Sequence, residues 1–249
     1  MNLLDNHQGN YRFLKGIAPY SSGVLAMPDH EIVHVVFRKP LAYHQGFASI
    51  ARHLEQHQRP PQALCAISLR IPQPFTFDGF AQFNAGYQKL LAAWDLLVDG
   101  NNPVARTNVA PEVSPPPEAV LYGFAFTVPA EHDRPTFVIA GAGDLKEQNL
   151  TPAAIIRPGE TSAAALHEKA TYVMSTMQRR LTGLQLDWHN VTTVNIYTVQ
   201  TLQPYLAPVI LNNMGPAAIH SVHWHYSHPP IAGLAFEMDI RGIRQEQWL

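Results

Sequence analysis

The residue whose type and surroundings best suit it to bind a ligand is Arg106, within the segment NPVARTNVAP at positions 102–111. A guanidinium can bind a carboxylate through two parallel hydrogen bonds and stays charged at any working pH. The segment GPAAIHSVHW, at positions 215–224, resembles the first one, but Ile219 stands where Arg106 would be. We therefore expect Arg106 either to hold an anionic substrate or to form an ion pair on an edge strand.

Two acidic residues, Glu237 and Asp239, lie close together in the segment LAFEMDI. Residues two apart on a strand share one face, which predicts that Phe236 and Met238 fill the opposite, core-side face. If partial burial raises the pKa of Glu237 towards neutrality, its carboxyl group can position a water molecule or shuttle a proton. The alternative is a solvated carboxylate on an edge strand.

Four histidines cluster in the segment AIHSVHWHYSHPP, at His220, His223, His225 and His228. His223 and His225 share one face of a predicted strand, and two histidines at that spacing can clamp a metal ion, with His228 or Glu237 as a third ligand. The alternatives are packed or interfacial histidines and a role in substrate binding or proton transfer. We assign no metal ligand and keep His223 and His225 as candidate substrate-binding residues.

The composition excludes several classes of partner. The 249 residues carry a formal net charge of −2 and no cluster of lysine and arginine, which argues against nucleic acid as the main partner. No apolar run approaches the length of a membrane span, and the first residues do not read as a signal peptide. The single cysteine, Cys65, lies in an apolar run, which predicts an inert core thiol and a cytoplasmic protein.

Hydrophobic periodicity indicates an internal duplication. Each half reads helix–strand–helix–strand–strand, with one or more strands in front, which predicts an α+β fold with helices on one face of a mixed sheet. We expect one domain over residues 1–130 and a second over 131–249. The predicted elements are a helix at 46–57, a strand at 63–71, a helix capped by Asp78, strands at 104–110, 119–128 and 136–140, a helix at 162–184, a strand at 191–199, a short helix broken by Pro204 and Pro208, and strands at 218–225 and 234–240.

Several of these segments resemble the reactive-intermediate deaminase family, also called YjgF-like, over nearly the whole chain twice. The matching pieces are GIAPYSSGV with Tyr20, FNAGY with Asn84 and Tyr87, PVARTNV with Arg106, FVIAGAGDL with Ala140 where the family usually has serine, and LAFEMDI with Glu237 and Asp239. Within that family the diverged duplication is most similar to the 2-aminomuconate and 2-amino-5-chloromuconate deaminases of aromatic-ring catabolism.

The resemblance implies two tandem chorismate-mutase-like domains and a hydrolase that needs no cofactor. Such enzymes convert enamines or imines of amino acids into oxo acids, release ammonia and form trimers with sites between neighbouring domains. In this chain Arg106 would hold the substrate carboxylate and Glu237 would orient water. Tyr20 and Asn84 would hydrogen-bond the substrate or the water. The histidine cluster adds a role that the family's simpler members lack: His223 and His225 would hold the far carboxylate of a dicarboxylate substrate.

Neither half contains the complete set of these residues. The first half has Arg106 but no acidic residue between positions 119 and 128, and the second has Glu237 but no matching arginine. We therefore expect a site formed between halves, within or across chains, and a homotrimer as the assembly that closes every interface. Two rivals remain: a binding or regulatory module without turnover, and a metal-dependent hydrolase that uses the histidine cluster.

Overall fold

The computed structural model describes residues 2–147 and 149–249 and confirms the predicted α+β class. Within these residues the chain forms strands and three long helices. Their bounds, in chain order, are β1 Leu3–Asn6, β2 Tyr11–Leu14, β3 Gly23–Ala26, β4 His30–Ala42, α1 Tyr43–Gln56, β5 Leu64–Arg70, α2 Phe77–Ala93, β6 Ala105–Pro111, β7 Val120–Pro129, β8 Phe137–Gly143, α3 Ala163–Gly183, β9 Thr193–Tyr197, β10 His223–His225, β11 Ser227–His228, β12 Glu237–Gly242 and β13 Gln245–Trp248.

The strands form two mixed sheets. The first sheet has the order β1-β2-β3-β8-β12-β9-β10 and the second has the order β11-β6-β5-β7-β4-β13. Most neighbours are antiparallel, but β6 runs parallel to β5, β10 runs parallel to β9 and β13 runs parallel to β4. The pairs β5–β6 and β9–β10 occupy the same position in each half, with a helical connection between their strands, and this agrees with an internal duplication.

The two ends of the chain cross between the sheets. Strands β1, β2 and β3 belong to the first sheet, whose other strands come from the second half, while β11 and β13 complete the second sheet. The boundary expected near residue 130 separates β7 from β8, which lie in different sheets. Each sheet nevertheless contains strands from both sides of this boundary, and the division into domains at 1–130 and 131–249 stays a prediction.

The sheets face each other and carry the helices on their outer faces. One apolar cluster joins α3 to the first sheet, and a second joins α1 and α2 to the second sheet. A third cluster, between the sheets, contains small side chains such as Ala66, Ala105, Ala125 and Ala140. Small residues let the two sheets approach closely, and the alternation of strand side chains sends larger groups outwards to the helices.

Helix α2 begins two residues earlier than predicted. Thr76 is its N-cap, and the Thr76 hydroxyl accepts a hydrogen bond of 3.0 Å from the backbone N–H of Gly79. The assignment of Asp78 as the cap was therefore wrong, because Asp78 lies in the first turn, where its charge favours the positive helix end. Helix α3 follows its predicted bounds, with Ser162 as its N-cap.

The strand predicted over 218–225 is also wrong in its first part, because only His223–His225 is a strand. Gly215–His220 forms a 3₁₀-helix, which a proline in the first turn favours and which a positive φ of 53° at Gly215 introduces. Ile219, opposite Arg106 in the sequence comparison, is therefore on this helix and 86% exposed. The preceding helix is interrupted as predicted, with a π-helical stretch at Leu206–Leu211 that contains Pro208.

Within the described residues, every helix is too short or too polar to span a bilayer.

A buried ion pair joins α3 to the turn that follows β8. Lys169 Nζ lies 2.6 Å from Asp144 Oδ2, and the side chains of both residues are at most 1% exposed. The same ammonium donates to the backbone carbonyl of Ile156. Removing one partner of such a pair leaves an uncompensated charge inside the protein.

We therefore expect Lys169→Met to lower the free energy of unfolding by about 3–5 kcal/mol. Urea unfolding followed by circular dichroism measures this change. Arg157→Met is the matched control, since Arg157 forms ion pairs with Glu160 and Glu168 at the surface and its loss changes stability little. Equal effects of the two substitutions would contradict a stabilising role for the buried pair.

Candidate functional site

A cavity of about 330 Å³ brings together residues from both halves of the chain. Arg106 reaches it from β6, Glu237 from β12 and Tyr20 from the segment between β2 and β3. The two residues predicted to cooperate from unlike halves, Arg106 and Glu237, therefore line the same cavity within one chain. Its size is that of a small-molecule site.

Arg106 is 3% exposed and faces α2. Its Nη2 donates a hydrogen bond of 2.7 Å to Asn84 Oδ1, and its guanidinium carbon lies 5.0 Å from the ring centre of Tyr20 and 4.9 Å from that of Tyr87. Burial lowers the pKa of Arg106, but a guanidinium stays charged near neutrality. The predicted Asn84 thus acts on Arg106 and does not line the cavity wall.

The other terminal nitrogen of Arg106, Nη1, is buried and has no hydrogen-bond partner in the described part of the chain. Two residues further along β6, Asn108 also lines the cavity, and both polar atoms of its amide are buried without a partner. Buried polar groups in native proteins are normally satisfied, so each exception calls for an explanation. A bound polar ligand would provide the missing partners for both side chains.

Glu237 is 3% exposed, and burial raises its pKa well above the ordinary carboxyl value. The nearby charge of Asp239 adds to this rise, while Arg180 and Arg106 oppose it. The space for its carboxyl group depends on Gly141 of β8, because a Cβ atom there would overlap Glu237 Oε1. As predicted, Phe236 and Met238 pack on the opposite face, in the core beneath α3.

The buried ion pair also fixes the start of β12. Asp144 Oδ1 accepts hydrogen bonds of 2.9 and 3.1 Å from the backbone N–H groups of Ala235 and Phe236. Those residues directly precede Glu237, and Asp144 Oδ2 is held by Lys169. The pair therefore positions the strand segment that carries the buried acid.

A second arginine lines the cavity from α3. Arg180 is 4% exposed, donates to Glu147 Oε1 at 2.8 and 3.1 Å and donates to the carbonyl of Ala140 at 2.8 Å. Burial alone would raise the pKa of Glu147, but Arg180 and Arg179 outweigh it and lower the value. Arg180 thus adds positive potential to the cavity, although much of its hydrogen-bonding capacity is used.

Sequence reasoning missed Asn108, Arg180 and Glu147. Asn108 had a usable signal, because it follows Arg106 at the spacing of residues on one strand face. Arg180 and Glu147 had none, since an arginine on an amphipathic helix normally lies at the surface. Tyr20, by contrast, was predicted and lines the cavity, where burial raises the pKa of its hydroxyl while Arg106 opposes the rise.

The structure does not bring His223 and His225 into this cavity. Both line a second cavity of about 480 Å³, together with Asp239. His228 lies on β11, in the other sheet, and its Nε2 is 2.7 Å from Glu112 Oε2. Among the residues that the structure describes, no three His, Cys, Asp or Glu side chains are grouped so that they could hold a metal ion.

Comparison with known proteins defines the family. The sequence model of the family described as 2-aminomuconate deaminase CnbZ matches residues 3–247. A curated 2-amino-5-chloromuconate deaminase from Comamonas testosteroni is 35% identical over 241 residues, which cover 96% of this chain and 95% of the relative. The chain belongs to the 2-aminomuconate deaminase CnbZ family, which confirms the predicted resemblance and supports an enzyme that acts on C–N bonds.

Among solved structures, the chain is similar to a chorismatase crystal structure at 10% sequence identity. The match covers 89% of this chain and 77% of the chorismatase, with a TM-score of 0.46. At that score the similarity adds nothing to what the two sheets and their outer helices already show.

The raised pKa of Glu237 predicts a pH-dependent difference between the protein and Glu237→Gln. The folded protein holds the carboxyl proton more tightly than the unfolded chain, so its stability falls as pH rises from about 4.3 towards the folded pKa. Glutamine cannot ionise and lacks this loss. We expect the free energy of unfolding of Glu237→Gln, relative to the unmodified protein, to increase with pH across that window.

Urea unfolding at a series of pH values measures this difference. Glu118→Gln, at a position where the carboxylate is on the surface, serves as the control and should show no such rise. A difference for Glu237→Gln that does not change with pH would mean that the acid ionises normally in the folded protein.

Proposed function

We propose that this chain is a hydrolytic deaminase for an enamine or imine amino-carboxylate, 2-aminomuconate or a chloro-derivative of it. It would release ammonia and an oxo acid without a cofactor. Family membership supports the substrate class. The observation that carries the mechanism is the placement of Arg106, with a free buried N–H group, and Glu237, with a raised pKa, on one cavity.

In the proposed complex the substrate carboxylate next to the amino-bearing carbon binds Arg106. Asn84 fixes the guanidinium through Nη2, which leaves Nη1 and its charge for the ligand. The ring faces of Tyr20 and Tyr87 lie within cation–π range of the same group. The amide of Asn108 would meet a second polar atom of the substrate.

Glu237 would perform the proton transfers. In its protonated form it delivers a proton to the enamine carbon, which converts the substrate to an iminium ion with an electrophilic carbon. As a carboxylate it then accepts a proton from the water that adds to this carbon. Glu237, protonated again, then gives its proton to the amino nitrogen of the carbinolamine and takes the hydroxyl proton as the C=O bond forms and ammonia leaves.

The far carboxylate of a muconate has other candidate partners than the predicted histidines. Lys15 and Lys146 line the same cavity as Arg106, while His223 and His225 line the second cavity. We further propose that the protein works in the cytoplasm as a homotrimer. A single buried cysteine, Cys65, supports the compartment, and the family resemblance supports the assembly.

Ammonia release from 2-aminomuconate, with purified protein, tests the proposal directly. We expect Glu237→Gln to lower kcat by about 10²–10⁴-fold, because it removes the proton-transfer group but keeps its shape. We expect Arg106→Lys to raise KM as well as lower kcat, because an ammonium loses the planar two-point contact. Arg134→Gln, at an exposed position, is the control and should leave both constants unchanged.

Binding of the substrate without ammonia release would identify a binding or regulatory module instead. Loss of activity after treatment with a chelator, and its recovery with zinc or iron, would favour a metal-dependent hydrolase. Unchanged kinetics in both Glu237→Gln and Arg106→Lys would move the reaction to another part of the molecule.

The two histidines give a separate test. Because His223 and His225 line the second cavity, we expect the double replacement His223→Gln and His225→Gln to leave KM for 2-aminomuconate unchanged. Lys15→Gln combined with Lys146→Gln is the comparison and should raise KM. A raised KM in the histidine variant would instead restore those side chains as partners of the far carboxylate.

A further inference from the structure

The second cavity is a built polar chamber that the proposed deamination does not use. It meets the first cavity at two strands: Arg106 contributes to both linings, and on β12 Glu237 lines the first cavity while Asp239 lines the second. Three further arginines line it: Arg70, Arg241 and Arg244. A chamber of this size with several cations has the character of an anion site.

The most unusual of these arginines is Arg70, which is buried beside aromatic rings. It is 8% exposed, and its guanidinium carbon lies 4.0 Å from the ring centre of Tyr122 and 5.7 Å from that of Tyr197. Its Nη1 donates to the backbone carbonyl of Leu69 at 2.9 Å. No carboxylate of the described residues lies within ion-pair distance, so a buried positive charge is held by aromatic faces without a counter-ion.

The acids of this cavity are already engaged. Asp239 accepts hydrogen bonds from Asn195 Nδ2 at 2.7 Å and from the Tyr197 hydroxyl at 2.8 Å. Glu246 lies 2.8 Å from His34 Nδ1. The Nη1 of Arg241 contacts the His34 ring, while its Nε is buried without a hydrogen-bond partner in the part of the chain described.

Two buried histidines lie close to these arginines, whose charge adds to the effect of burial. Burial lowers the pKa of His34 to about 4, and Arg241 contributes to the fall. Burial likewise lowers the pKa of His225 to about 4, with Arg70 as the next cause. Both rings are therefore neutral near pH 7. Asn195 Oδ1 accepts the proton of His225 Nε2, because Asn195 Nδ2 already donates to Asp239.

We propose that the second cavity binds a small planar carboxylate through Arg70 and Arg241, as a site separate from the proposed deamination site. The arginine forks supply the anion contacts, and the rings of Tyr122, Phe124 and Tyr197 line the chamber with flat apolar surface. A conjugated or aromatic acid fits this combination better than a tetrahedral anion or a bulky aliphatic acid.

Calorimetric titration with benzoate tests the site, because benzoate is planar, carries one carboxylate and has no amino group to release. We expect Arg70→Gln to weaken benzoate binding about ten- to a hundredfold, as the loss of a charge-assisted contact should. Arg106 also lines this cavity, so Arg106→Gln should weaken benzoate binding less than Arg70→Gln does, and Arg134→Gln is the control for loss of one positive charge. Cyclohexanecarboxylate, which is not planar, should bind more weakly than benzoate.

Arg70→Lys guards against a folding defect, since it keeps the charge and should bind benzoate with intermediate affinity. The ring protons of His225, followed by NMR, should shift on benzoate addition in the unmodified protein and not in Arg70→Gln. Benzoate binding that survives Arg70→Gln, or that depends on Arg106 alone, overturns the proposal. Benzoate binding is measured without the deamination reaction. A failure to release ammonia therefore leaves this proposal standing, and a failure to bind benzoate leaves the proposed deamination standing.

Discussion

Burial of charge between two facing sheets is the constraint on which the rest of this structure depends. Arg106, Glu237 and the pair of Asp144 with Lys169 are all at most 5% exposed, in a region where an isolated charge is costly. The Asp144 pair is fully matched and holds the backbone in front of Glu237. Among the described residues, Arg106 and Glu237 form no ion pair with each other or with another side chain, and both line the cavity. The matched charges hold the strands, and the unmatched ones are available for chemistry.

The sequence predicted the elements and the two principal side chains because both rest on local patterns. Strand alternation placed Glu237 opposite Phe236 and Met238, and the motif around Arg106 placed that residue on β6. What it could not predict depends on distant contacts. The link between Arg180 and Glu147 joins α3 to a loop 33 residues away, and no periodicity encodes such a pairing.

The errors have local physical causes. Thr76 and Asp78 are both good capping residues, and only backbone geometry decides between them. In the segment before β10, the alternation of apolar residues suggested a strand, but the Gly215 turn and the adjacent proline start a 3₁₀-helix instead. His223 and His225 consequently line the second cavity and not the one that contains Arg106, and their predicted role in substrate binding stays a prediction.

The exchange of chain ends between the sheets ties the two halves of the chain together. A fragment cut at residue 130 would carry β1, β2 and β3 away from the sheet they complete, while β13 would leave β4 with an unpaired edge. Neither half can therefore complete its sheet without strands from the other.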